Sequence, residues 1–467
     1  LLKPRAWNFL LPCLLTLSLL FTGCSPDAKP KQAADSGADS ARRHREALAG
    51  KVRAEYLRAF RGYQRYAMGH DEVRAVSGQP HDWGNTGLAI TPIDALDGLI
   101  LLGLKETADS VREYIATEVS WDKDVFISVF EINIRCLGGL LSAYELTGDE
   151  RLLEKATDLA DRLLPAFKTP TGMPYRFVNL KTGKTGGVIS NPAEIGTLVL
   201  EFGTLSRHTG NRGYYDKAYK ALQELYKRRS DIGLVADAIN VENGEWKGTS
   251  CHVGACIDSY FEYLLKGWLL FGEEGLKEMW DTYRASLRKY CEKETVNGFW
   301  YGRADMHSGE LVSPQYGALE AFFPTLLLMS GDTVPAARLH ETWYRIWNIH
   351  DLEPEAFDFE AMEIPKGGLG YALRPEIIES TYYLYTATGD PKYLAMGEKI
   401  FGDLMKYCRT DIGYTEITNI ITKEKGDLMH SFLFGETLKY LYLLLAPESP
   451  LNLHKVVLTT EAHPLKK

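Results

Sequence analysis

Apolar residues recur along most of this chain at intervals of three and four, the spacing that puts them on one face of an α-helix. The pattern breaks at a glycine-containing turn, resumes in a second amphipathic segment, and then begins again. Three copies of the unit are plain: LLSAYELTGDERLLEKATDLADRLL, FGTLSRHTGNRGYYDKAYKALQELY and TYYLYTATGDPKYLAMGEKIFGDLM. Their turns are at Gly148, Gly210 and Gly389; weaker copies fall at Gly103, Gly272 and Gly331, and Ala446-Pro447 marks a seventh. After a first interval of 45 residues the turns lie 57 to 62 residues apart, enough for two helices and their connections.

A helical hairpin cannot bury its apolar face alone, so such units pack against their neighbours. Seven in series can close into a ring, with first helices inside, second helices outside and the connections at the two mouths. The pattern therefore predicts an all-α protein, an (α/α)7 barrel over residues 46–467, as one domain. A chain of 467 residues would ordinarily make two or three.

The first residues do not share the pattern. Lys3 and Arg5 precede an apolar run from Phe9 to Phe21 that ends at Thr22-Gly23-Cys24, too short for an ordinary transmembrane helix. This resembles a bacterial lipoprotein signal: residues 1–23 are expected to be removed and Cys24 to carry lipid. The protein would then be exported and held at a membrane, with Ser25 favouring the outer membrane, on its periplasmic or surface face. Residues 24–45 are rich in Ala, Lys, Asp, Ser and Arg with almost no apolar content, and read as a disordered tether.

Composition narrows the partners. With 45% hydrophobic and 25% charged residues the chain is of the globular type, and its net charge of -9, without any basic stripe, excludes a nucleic-acid partner. Cys251 and Cys256 form a C-x4-C pair with no second pair to match, so the cysteines do not make a zinc site.

The acidic residues are more telling. If the helix before each turn is the inner one, distance back from the turn measures depth in the barrel. About ten residues back lie Glu201, Glu262, Glu320, Glu379 and Glu436, with Asp94 at a similar level; 13 to 17 back lie Glu131, Glu194, Asp258 and Glu376. Glu131 shares a helical face with Arg135, Asp258 with Glu262, and Glu376 with Glu379. One such acid is readily a solvated surface residue. Rings at common depth among apolar neighbours point instead to a carboxylate-lined cavity, since acids are seldom buried without a partner or a cation. In such a cavity two acids can do acid and base work while others hold a hard cation or sugar hydroxyls. Acids on opposite walls about 6.5 to 9.5 Å apart leave room for a water, the arrangement of an inverting glycosidase.

The stretches TPIDALDGLILLGL, VFEINIRCLGGLLSAYELTGD, AEIGTLVLEFGTLSRHTG, DSYFEYLLKGW, ALRPEIIESTYYLYTATGDPKY, SFLFGETLKYLYLL and TTEAHP follow one another from about Ala59 to the end. With them the chain resembles glycoside hydrolase family 47, the calcium-dependent class I α-1,2-mannosidases. AFFPTLLLMSGD and RPEIIESTYYLY bring it nearest the branch of ER degradation-enhancing mannosidase-like proteins. The resemblance implies that the terminal strand belongs to a small C-terminal β-hairpin plugging one end of the barrel. It implies that Thr460 gives Ca2+ its carbonyl and hydroxyl oxygens, with waters and sugar hydroxyls completing a shell of about six to eight ligands. Glu131 matches the general acid and Glu376 the general base. Arg135 and Arg374 match residues lining the site, Phe432 the aromatic beneath the terminal mannose, and Glu194, Asp258, Glu262, Glu379, Glu436 and Glu461 the acids that orient waters and substrate.

One departure stands out. The family carries an aspartate seven residues before the proline of the FFP motif, and counting back from Pro324 gives Gly317. Asp358 stands where processing mannosidases have a histidine. Either the aspartate is dispensable, or Glu320 or Asp358 supplies the carboxyl group, or hydrolysis is crippled. The expected function is a calcium-dependent inverting exo-α-1,2-mannosidase acting on a mannose-containing oligosaccharide; the alternative is a catalytically weak mannose-glycan binding protein.

Overall fold

The structure is a computed structural model in which residues 31–467 are described, without the side chains of residues 31–36 and 38. The expected signal peptide, Cys24 and the beginning of the expected tether lie outside the described residues. From Lys31 the chain is helical, in a segment Lys31–Ala67, where a disordered tether was predicted as far as residue 45. The physical reason is propensity: a run rich in Ala, Arg and Lys favours the helix even where it buries nothing. Among the described residues no helix is long and apolar enough to cross a membrane.

The compact unit is Arg45–Lys467. Its inner helices are those before the turns: Ile90–Leu101, Gly138–Thr147, Val199–Thr209, Asp258–Phe271, Phe323–Met329, Glu376–Thr388 and Leu438–Leu445. They are buried on nearly every side. The helices after the turns bury one stripe only, as Glu150–Leu163 does with Leu152, Ala156, Leu159, Ala160 and Leu163. The turn glycines close the inner helices in the left-handed region, Gly148 at φ 72° and Gly389 at φ 67°, where a side chain would be strained.

Six pairs are sequential hairpins, but the seventh is not. After Leu445 no outer helix follows among the described residues, and residues 45–67 of the first described helix take its place. Tyr56 donates to the carbonyls of Ala95 at 3.0 Å and Phe434 at 3.3 Å, and its ring meets Phe434 edge-on at 5.2 Å. The barrel thus closes through its N-terminal helix.

Short strands gather in the connections from each outer helix to the next inner helix, at the mouth formed by the inner-helix N-termini. The remaining pair is the C-terminal hairpin, Val456–Leu458 against Pro464–Lys466, with Val457 opposite Leu465. It enters from the opposite end: the N–H of Lys466 donates to Glu145 at 2.6 Å and Arg207 donates to the carbonyl of Lys466, both close to the short turns. Its tip, Thr459–His463, reaches up the axis.

Candidate active site

The open mouth leads to a pocket of about 720 Å³ of free volume, a figure that includes the open solvent with which it is continuous. Glu131 and Glu376, from the second and sixth inner segments, meet there with Thr460 at the hairpin tip. Seven carboxylates line the pocket, those of Glu131, Asp258, Glu262, Glu376, Glu379, Glu436 and Glu461, against the two guanidinium groups of Arg135 and Arg374.

Two of these side chains sit on π-helical turns, Arg135 in Asn133–Leu137 and Glu436 in Leu433–Thr437. Such turns widen a helix by a residue and are common at functional sites. Arg135 is the hub. Its Nε lies 3.0 Å from Oε2 of Glu131 and its Nη1 2.6 Å from Oε2 of Glu461, and its guanidinium is 5.5 Å from the ring centres of both Trp83 and Phe432. Phe432 in turn stacks on His430 at 4.9 Å. Arg374 donates two bonds to Glu355, at 2.9 and 2.8 Å, and is held two residues before Glu376.

The hairpin tip is pinned from below. The N–H of Ala462 closes the turn on the carbonyl of Thr459, and Nδ1 of His463 lies 2.7 Å from Asp97 while its Nε2 lies 3.3 Å from Asp94, all fully buried. Lys439 completes the network on Asp97 at 2.8 Å. These charges hold the imidazole protonated, up to about 9, although burial works against it. The N–H of Thr460 faces the hydroxyl of Tyr263, which donates to Glu201.

Burial pushes the pocket acids upward. Glu376 rises to about 7, restrained by Arg374 and raised further by Glu355 and Asp258, and Asp258 rises to about 6. Glu379 and Glu461 rise to about 8, and Glu436 well above the usual carboxylate range, each through burial first and neighbouring carboxylates next, with Lys266 restraining Glu379 and Arg135 restraining Glu461. Oε2 of Glu376 and Oε1 of Glu379 have no hydrogen-bond partner among the described residues. A cation would relieve this crowding, so the donor set fits a hard divalent ion. No three His, Cys, Asp or Glu side chains among the described residues converge to ligate one directly. An ion here would therefore be reached by the carboxylates at least in part through waters that they orient.

Not every expected residue reaches the pocket. Glu194 lies at its rim, held by Arg176 at 2.7 Å and Ser190 at 2.9 Å, because the third inner segment breaks into Pro192–Gly196 and Val199–Thr209. Glu201 is bonded to Tyr263 and Asn133 behind the wall, and Asp94 to Ser431 and the His463 network. Asp358 accepts the N–H groups of Glu360 and Ala361 at 3.0 and 2.8 Å, so its carboxylate serves its own turn. Glu320 is buried with neither carboxyl oxygen hydrogen-bonded; the nearest cation is Arg303 at 4.0 Å. Its neighbours Leu319 and Phe322 line the pocket. The reading of the sequence missed Glu355, Lys266 and Trp83. Lys266 is a fully buried cation bonded to Glu262 and 3.7 Å from Glu379, one turn along the same helical face as Glu262, a spacing the sequence does contain.

The model of Glycosyl hydrolase family 47 matches residues 55–467. Alpha-mannosidase I MNS4 of Arabidopsis thaliana is 40% identical over 437 residues, 89% of this chain and 69% of its own length. Human ER degradation-enhancing alpha-mannosidase-like protein 2 is 39% identical over 412 residues, covering 85% of this chain and 70% of its own. Among solved structures, the alpha-1,2-mannosidase from Trichoderma reesei superposes with a TM-score of 0.83 at 28% identity, over 90% of this chain and 99% of that one.

Proposed function

The chain belongs to glycosyl hydrolase family 47, and from that premise we propose that it is a calcium-dependent, inverting exo-α-1,2-mannosidase that removes terminal α-1,2-linked mannose from mannose-rich glycans. The observation that carries this reading is the meeting of Thr460 with Glu131 and Glu376 in one pocket closed below and open above. Such a pocket admits the end of a glycan, not its middle. In this reading Glu131 donates a proton toward the departing glycosidic oxygen and Glu376 takes one from the attacking water, on opposite sides of the sugar. Phe432 offers an apolar face to the terminal ring, Arg135 fixes Glu131, and Arg374 sets its charge near Glu376. Thr460 would hold the calcium ion, with Glu262, Glu379, Glu436 and Glu461 acting through its waters; when bound, the ion supplies positive charge against which sugar hydroxyls can be oriented.

Incubation of the protein with α-1,2-linked mannobiose, with calcium and with chelator, tests this. Mannose should be released in the β-anomer, and only with calcium. Absence of release under every condition would overturn it.

A second reading, a mannose-glycan binding protein of weak activity, is favoured by one observation: no carboxylate replaces Gly317 on its own strand, and an oxygen of Asp358 is taken by the N–H groups of its own turn. Calcium-dependent glycan binding without turnover would establish it. Attachment to a membrane through lipidated Cys24 belongs to the same proposal, and Cys24→Ser should release the protein from the membrane fraction.

A further inference from the structure

The three-stranded sheet at the mouth pairs Phe126 with Asn179, Ile127 with Val178 and Ser128 with Phe177, and Phe177 with Gly186. Alternate side chains of a strand point to opposite faces. Ile127 and Val178 are buried beneath the sheet, so Phe126 and Phe177 share its outer face, where they are 52% and 37% exposed. This face is continuous with the catalytic wall: the N–H of Glu131 donates to Oγ of Ser128 at 3.3 Å, and that of Val129 to the carbonyl of Arg176 at 2.9 Å. Trp83, 38% exposed, is tied to the same wall: the guanidinium of Arg135 lies 5.5 Å from its ring centre, and Asn85, two residues on, donates at 3.5 Å to the carbonyl of Asp124, two residues before the strand. Tyr66, Trp83, Phe126 and Phe177 are the large aromatic side chains exposed among the described residues, and three of the four stand along this one rim.

Exposed aromatics clustered in this way mark an interaction site rather than chance exposure. Polar groups complete it. The guanidinium of Arg176 lies 5.3 Å from the ring centre of Phe177 and 2.7 Å from Glu194, leaving both able to meet hydroxyl groups beside an apolar face. The hairpin blocks the far end of the barrel, so whatever is attached to a sugar seated in the pocket must leave through the mouth, of which this rim is one side. We propose that Phe126 and Phe177, with Trp83 beside them, form a stacking platform for the sugar units on the leaving-group side of the scissile bond, with Arg176 and Glu194 as its hydrogen-bonding edge. The occupant is the uncleaved remainder of an oligosaccharide, because aromatic faces flanked by an ion pair suit the alternating apolar and hydroxyl surfaces of a hexose. The platform makes the protein selective for extended glycans over disaccharides. This inference rests on the hydrolase reading of the same pocket.

The test is Phe126→Ala/Phe177→Ala, at exposed positions where the fold should survive, verified by thermal unfolding. The kcat/KM for a mannose-rich oligosaccharide relative to that for α-1,2-mannobiose should fall about tenfold, mainly through KM, and Phe177→Trp should retain the ratio. An unchanged ratio would overturn the platform. If the unmutated protein cleaves neither substrate, the hydrolase reading fails separately. The platform is then judged by calorimetric binding of the intact oligosaccharide, which the double variant should weaken about tenfold; equal binding, or none by either protein, would overturn it.

Discussion

Nη1 of Arg135 lies 2.6 Å from Oε2 of Glu461, which bonds the second inner segment to the last hairpin of the chain. Both side chains are almost wholly buried, and removing Arg135 would leave Glu461 among other carboxylates without the cation bonded to it. Arg135→Met should therefore destabilise the protein by about 3 kcal/mol. Adding Glu461→Gln should recover part of that loss, a coupling readable from urea unfolding of the two single variants and the double. Additive effects would mean that the pair does not tie the hairpin to the barrel.

A second tie can be read through pH. His463 is fully buried between Asp94 and Asp97, with Lys439 on Asp97 and Glu201 and Glu461 nearby, and its folded value of about 9 lies above the ordinary 6.5. The stabilisation is fully present below about pH 6.5 and is lost as pH rises through 9, because there the unfolded chain has already released the proton that the folded chain still holds. The difference in stability between the protein and His463→Asn should shrink by up to about 3 kcal/mol between pH 6 and 10. Unfolding midpoints across that range check it; a constant difference would show the imidazole to be neutral.

Thr460 carries the proposed metal site, and Thr460→Val removes its hydroxyl while keeping its shape. Calcium affinity, measured by calorimetry, should fall at least about tenfold and activity with it, while thermal stability without calcium stays the same. Equal calcium affinity would move the ion elsewhere.

Glu376, unpartnered at one oxygen, should be far more sensitive to loss of charge than of shape. Glu376→Gln should lower kcat by about 10² to 10⁴ with little change in unfolding. In the active protein kcat/KM should rise with pH as this carboxyl, near 7, loses its proton, and the variant should lack that limb.

The residues that were legible in the sequence are those whose position follows from a period. Gly148 and Gly389 announced their turns because a left-handed glycine closes each of those two inner helices, and Glu131, Arg135 and Glu376 followed by counting back along them. Counting fails where the helix is not continuous. Glu194 was grouped with Glu131, Asp258 and Glu376 at one level but does not line the pocket with them, because its segment breaks after Gly196, and the π-helical turns that carry Arg135 and Glu436 leave no mark on the apolar spacing. Glu355 lies in a connection with no period at all, and its role emerges only when Arg374 is brought to it. The partner of the seventh inner helix was hidden for a different reason, since ring closure joins the two ends of the chain and no local pattern records it.

Gly317 poses the sharpest test of catalytic competence. Its backbone is extended, at φ -98° and ψ 161°, which any residue can adopt. A Cβ there would meet the carbonyl of Glu355 at 3.5 Å and Oε1 of Glu320 at 3.9 Å, ordinary contacts, so an aspartate can be accommodated. The carboxyl of Glu320, pushed by burial to about 8, thus stands next to the position that an aspartate at 317 would take. If Glu320 does the work of the absent aspartate, Glu320→Gln should lower kcat on mannobiose by at least about tenfold, and Gly317→Asp in that background should restore much of it. If the glycine instead cripples hydrolysis, Gly317→Asp alone should raise kcat by a similar factor while Glu320→Gln changes little. Rates unchanged in all three variants would show that neither position takes part, leaving Glu131 and Glu376 to carry proton transfer by themselves.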